Sequence, residues 1–189
     1  MGTRGLYGFR KNGVDKLTYN HYDSYPDCLG ATMIDFCKNT STKEMNEIFD
    51  RIVLVKEDSE PTKAQINECA EYYNGSVSTQ SVTDWYCLLR EAQGNPDAYK
   101  NGLKYMIDSH NFIKDSLFCE YAYIINLDQN ELEFWVGFQK EPWDDNRYGT
   151  EGYDGYCPCK MVARYSFEFI KKNLSETCVE SMNSISKEN

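Results

Sequence analysis

Gly5-Leu6-Tyr7-Gly8-Phe9-Arg10-Lys11-Asn12-Gly13-Val14-Asp15-Lys16-Leu17-Thr18-Tyr19-Asn20 is the stretch that decides the fold. Gly5 to Arg10 and Asp15 to Asn20 are two short runs with aromatic and β-branched residues, and Lys11-Asn12-Gly13-Val14 separates them. Asn-Gly between two such runs is the strongest short-range hairpin signal, so the chain is expected to open with a β-hairpin.

Outward from the hairpin the register changes. After Pro26, helical spacing appears at Leu29, Met33, Ile34 and Phe36 to Cys37, then from Thr42 and Glu44 to Val53, and from Thr62 to Tyr73 with Thr62 as the cap. Ser81 to Gln93 and Asp97 to Asp108 continue it on either side of Gly94-Asn95-Pro96. Cys119 to Leu127 is nearly all apolar and reads as a strand covered on both faces. Beyond Asp128-Gln129-Asn130, Leu132, Phe134, Val136 and Phe138 alternate with Glu131, Glu133, Trp135 and Gly137, the pattern of a half-buried strand. Met161 to Ile170 alternates likewise. The loop from Glu141 to Cys159, dense in Gly, Tyr and Asp, is long enough to be functional or mobile. The expectation is an α+β fold. The N-terminal hairpin and the C-terminal strands share one antiparallel sheet, covered by a central helical block. Residues 1–173 form a single domain, and 174–189 a polar tail or weak helix.

The chain has 189 residues and a net charge of −10. A protein that grips a phosphate polymer does so through Lys and Arg, so a nucleic-acid polymer is not an expected partner. No apolar run approaches the roughly 20 residues that span a bilayer, and Met1 to Arg10 lacks the apolar stretch of a signal peptide, so no membrane partner and a cytoplasmic location are expected. Of eight cysteines only Cys157 and Cys159 are close, and zinc sites need two spaced pairs, so neither metal nor cofactor is expected and the thiols read as reduced. An aromatic content of 14% is enough to fill a core and still line a pocket for a planar ligand.

Polar groups concentrate in Asn20-His21-Tyr22-Asp23-Ser24-Tyr25-Pro26, where a strand exit displays an imidazole, a carboxylate and a hydroxyl. His21 suits a general acid or base, Asp23 its orienting carboxylate, and Ser24 a nucleophile. Asp23-Ser24 equally suits a turn or helix cap. In an extended segment His21, Asp23 and Tyr25 share one face and Asn20, Tyr22 and Ser24 the other. An antiparallel hairpin returns its far end to its start, which brings Thr3 and Arg4 of Gly2-Thr3-Arg4-Gly5 beside Asn20 to Ser24. The catalytic candidates are therefore Thr3, His21, Asp23 and Ser24. The ligand-binding candidates are Arg4, Asn20, Tyr25, Trp85, Tyr121 and Glu120, the last an acid in an apolar strand.

The opening Met-Gly-Thr-Arg-Gly, with Tyr-Asn-His-Tyr-Asp-Ser-Tyr-Pro at 19–26 and Leu29-Gly30, resembles a group of phage and bacterial proteins that share this start. The similarity extends through Trp85-Tyr86 to Cys119-Glu120-Tyr121-Ala122-Tyr123. A second resemblance is to the N-terminal-nucleophile hydrolases of the choloylglycine type. Thr3, Asn20 and Asp23 would match their nucleophile and polar pair, provided the residues before Thr3 are removed. These resemblances imply a small phage-type protein of the host cytoplasm that hydrolyses a nucleotide-like ligand, such as a cyclic nucleotide immune signal, and so evades host defence. The alternatives are a non-catalytic sponge for such a nucleotide, which would allow a pocket shared in a homo-oligomer, and a host-interaction protein with no small ligand.

Overall fold

The computed structural model describes residues 2–188. Met1, on which the expected N-terminal trimming turns, and Asn189, the end of the expected tail, lie outside them. The hairpin forms as its sequence predicts. β1 (Gly5–Lys11) pairs antiparallel with β2 (Val14–Asn20) from Lys11 opposite Val14 to Gly5 opposite Asn20. Asn12 and Gly13 make the two-residue turn at φ 53° and 73°, the left-handed pair that a tight hairpin demands. Asp128 caps this turn, accepting the backbone N–H groups of Asn12 (2.7 Å) and Gly13 (3.0 Å).

A single π-helical turn, Pro26–Gly30, leads into α1 (Ala31–Asn39) and α2 (Thr42–Arg51). Ser41 and Glu44 close a capping box at the start of α2. The two middle helices are shorter than their periodicity predicts. α3 (Lys63–Glu68) and α4 (Trp85–Leu88) each give way to a 3₁₀ turn. α5 covers only Pro96–Lys100. Residues predicted helical at the ends of two segments are instead extended. β3 (Val53–Val55) and β4 (Tyr105–Ile107) pair parallel in a separate two-stranded sheet. Runs such as Ile-Val-Leu-Val are apolar and mostly β-branched, and such short runs do not distinguish helix from strand by period.

β5 (Tyr121–Asn126), β6 (Glu131–Val136) and β7 (Lys160–Ser166) complete a five-stranded sheet of order β2-β1-β5-β6-β7. The α+β class and the union of the two chain ends in one sheet are as expected. The expected all-antiparallel pairing needs correction, because β1 and β5 run parallel, Gly5 opposite Tyr121 through Arg10 opposite Asn126. The cause is the crossover. β2 ends at the end of the sheet where β1 begins, and the helical block returns the chain to that same end on the other side of β1, where Glu120 N–H donates to the Arg4 carbonyl (3.0 Å). β7 also stops early, and Phe167–Lys172 is α6, capped by the Ser166 side chain.

One face of the sheet, with Tyr7, Phe9, Tyr123, Ile125 and Phe134, packs beneath the helices. The other face, with Leu6, Leu17, Ala122, Ile124 and Trp135, is covered by Ile113 and by Trp143, Tyr148 and Cys159 of the long loop. That loop is a lid on the sheet and not a free excursion. Residues 175–186, part of the polar tail, form α7, which buries Cys178, Val179 and Met182.

Candidate functional site

Asn20 ends β2 and is buried. Its amide donates to the Tyr22 carbonyl and to Ser24 Oγ (2.8 Å), which folds the strand exit back on itself. Asp23 makes this turn possible by taking φ 51°, a left-handed conformation that Asp tolerates. The alternation of side chains expected from Asn20 to Tyr25 is broken there. Ser24 N–H donates to the Thr3 carbonyl (3.1 Å), and the Ser24 carbonyl accepts the Tyr123 hydroxyl (2.9 Å). Thr3 and Ser24 are therefore brought together, as the hairpin geometry requires, but both are buried and bound into the scaffold. Neither hydroxyl stands open to a substrate.

His21 is half-buried, and its Nδ1 shares a hydrogen bond with the Tyr19 hydroxyl (2.8 Å). Burial, reinforced by the charges of Arg90 and Arg4, pushes its pKa below the usual imidazole range. No hydrogen bond joins it to Asp23 among the described residues. The expected acid–base pair is thus not hydrogen-bonded, and the Tyr19 hydroxyl is the partner of the imidazole instead.

A cavity of about 520 Å³ opens beside this turn. Asn20, Tyr22 and Asp23 of the strand exit line it together with Asn74, Arg90, Glu91 and Gln93. Arg90 lies in the 3₁₀ turn after α4 and is only 8% exposed. Its guanidinium sits over the Tyr22 ring (4.7 Å) and near the Tyr86 ring (5.4 Å). It donates to the Tyr86 hydroxyl (3.2 Å) and to Gln93 Oε1. Among the described residues no carboxylate lies within ion-pair distance of it. A buried cation is costly unless an anion compensates it, and Arg90 has only neutral hydrogen-bond partners, with the Asp23 and Glu91 carboxylates farther along the same wall.

Gly94 closes the cavity at φ 69°, and a Cβ there would lie 2.9 Å from Asn20 Oδ1. Gly94→Ala is expected to lower stability by about 1–2 kcal/mol, the cost of a left-handed alanine. The test is urea denaturation, where an unchanged midpoint at unchanged slope would contradict the geometry.

The remaining predicted residues divide between neighbouring sites and the core. Arg4 lies on the His21 side, its guanidinium 5.3 Å from the Phe118 ring centre, and it too has no ion pair among the described residues. It does not line the Arg90 cavity. Trp85 is 1% exposed and packs against Tyr105 (5.7 Å), so it belongs to the core and to no ligand wall. Tyr121 stacks on Phe134 (8° between planes) and faces Tyr25 at 6.0 Å, outside the Arg90 cavity. Glu120 bridges backbones there, its N–H to Arg4 and its carbonyl to Gly137. Of the predicted set, Asn20 and Asp23 line the cavity.

Arg90, Gln93 and Asn74 are functional candidates that sequence reasoning did not single out. One signal was present, since Arg90 lies four residues after Tyr86 on the apolar stripe of Ser81 to Gln93, where a charge is out of place. Comparison with known protein families, with curated proteins and with solved structures finds no match.

Proposed function

We propose that the protein binds and sequesters a small anionic ligand that carries an aromatic ring, of the signalling-nucleotide class, in the Arg90 cavity. The observation that carries this reading is the buried Arg90 guanidinium without an anionic partner among the described residues, held between two tyrosine rings. A phosphate or phosphodiester supplies the missing charge and accepts from the planar fork. Tyr22, 53% exposed, offers a ring face for a base, and the Asn74 and Gln93 amides offer partners for heterocycle edges and ribose hydroxyls. The volume suits a ligand of nucleotide size.

Binding without turnover is preferred to hydrolysis on the same geometry. A hydrolase built on these residues needs an accessible nucleophile beside an oriented base. Thr3 and Ser24 are buried, and His21 is held by a tyrosine hydroxyl and not by a carboxylate. On the resemblance to phage proteins, the ligand is a cyclic nucleotide immune signal in the host cytoplasm, and retention of it evades host defence.

The test is retention and recovery. The protein is incubated with a panel of cyclic dinucleotides and cyclic ADP-ribose species, separated from free ligand, heat-denatured and chromatographed. Intact ligand recovered at about one per chain or per shared pocket is expected. Altered ligand, or no retention of any anionic nucleotide, would overturn the reading.

A further inference from the structure

Beyond the Tyr86 ring lies a second cavity, of about 460 Å³, with a different chemistry. Tyr19, Tyr86, Phe112 and Tyr153 give it four aromatic rings, and Glu57 and Asp115 give it carboxylates. The Tyr19 and Phe112 rings meet edge to face at 5.2 Å, and Tyr153 is 52% exposed at the mouth. Neither Glu57 nor Asp115 has an ion pair among the described residues, whereas Asp108, also in the wall, is engaged by His110 (2.6 Å). Asp115 Oδ1 is buried with no hydrogen-bond donor among the described residues. Burial pushes the pKa of both free carboxylates up. Asp154 adds to this at Asp115, where the Phe118 backbone N–H and the charge of Arg4 oppose it, while Asp84 and Asp58 add to it at Glu57.

We infer that this second cavity binds a primary organic ammonium ion, with Asp115 and Glu57 as counter-charges and the aromatic rings as its walls. Rings present a negative face to a cation, and the orphaned Asp115 oxygen needs an N–H donor, which an ammonium supplies. A bare metal ion does not fit. Among the described residues no group of three His, Cys, Asp or Glu side chains converges closely enough to hold one. An anion does not fit either, because this wall carries carboxylates and no Lys or Arg side chain to neutralise it. The assignment does not require a ligand in the Arg90 cavity, although Tyr86 touches both Arg90 and this second cavity.

Calorimetric titration of the whole protein at neutral pH with phenethylammonium, and with uncharged 2-phenylethanol as its isostere, tests this. Saturable binding of the amine at about 1 mM or tighter is expected, with the alcohol at least about tenfold weaker. Asp115→Asn should weaken the amine about tenfold. Tyr153→Ala, at an exposed position that leaves the core intact, should weaken it about threefold. No saturation by about 10 mM, equal affinity for amine and alcohol, or unchanged affinity in either variant would overturn the assignment.

Discussion

Arg147→Ala is expected to cost about 3–5 kcal/mol of folding stability, because it strands a buried carboxylate. Glu133, in the middle of β6, is 2% exposed. Its oxygens accept from Asn126 Nδ2 (2.7 Å), Trp135 Nε1 (2.9 Å) and both guanidinium nitrogens of Arg147 (2.8 and 2.6 Å). The guanidinium lies over Trp135 (4.7 Å) and beside Tyr148 (5.0 Å), whose hydroxyl donates to Asp15 (2.9 Å), itself paired with Arg10. This network fastens the long loop to the sheet. Adding Glu133→Gln to Arg147→Ala removes the stranded charge, so the double variant should recover part of the loss. Urea denaturation measures both. A loss under about 1 kcal/mol for Arg147→Ala, or no recovery in the double variant, would show that Glu133 is not buried and paired as described.

Trp85→Ala should lose about 3–5 kcal/mol as well, here from a cavity left in the core. Trp85→Phe should lose less than about 2 kcal/mol, because it keeps most of the apolar volume and deletes an indole N–H that is buried without a partner among the described residues. The same denaturation experiment decides its place. Unchanged stability in Trp85→Ala, with a loss confined to ligand binding, would return this residue to a binding surface.

The hairpin was legible because Asn12-Gly13 encodes a conformation that few other dipeptides take, and the register then follows from a two-residue turn. The apolar run of β5 correctly signalled a strand covered on both faces. Glu133 was misleading for a physical reason. Alternation with Leu132 and Phe134 marks it as solvent-facing, yet the loop from Glu141 to Cys159 lies over that face and supplies Arg147 as its partner. Pairwise burial between segments far apart in sequence leaves no local period. The parallel pairing of β1 with β5 was hidden similarly, since strand direction depends on the end of the sheet to which the whole helical crossover returns the chain.

At the site, proximity was legible and accessibility was not. The hairpin placed Thr3 beside Asn20 to Ser24, but both are buried, Ser24 under Tyr123 and the close approach of Gly5, where a Cβ would meet Ser24 at 2.7 Å. Arg90 escaped notice because a charged residue in an amphipathic segment normally faces water. Only the packing of Tyr22 and Tyr86 around it shows that this one does not.

The most direct measurement is the affinity of the retained nucleotide for the protein and for Arg90→Ala, by calorimetry at fixed low salt. Loss of charge-assisted bonds to a phosphate should weaken binding roughly ten- to hundredfold. The melting temperature should hold or rise, since the variant removes a buried cation that has no counter-charge in the free protein. Unchanged affinity in Arg90→Ala, or ligand recovered as a cleaved product from the wild-type protein, would contradict the account.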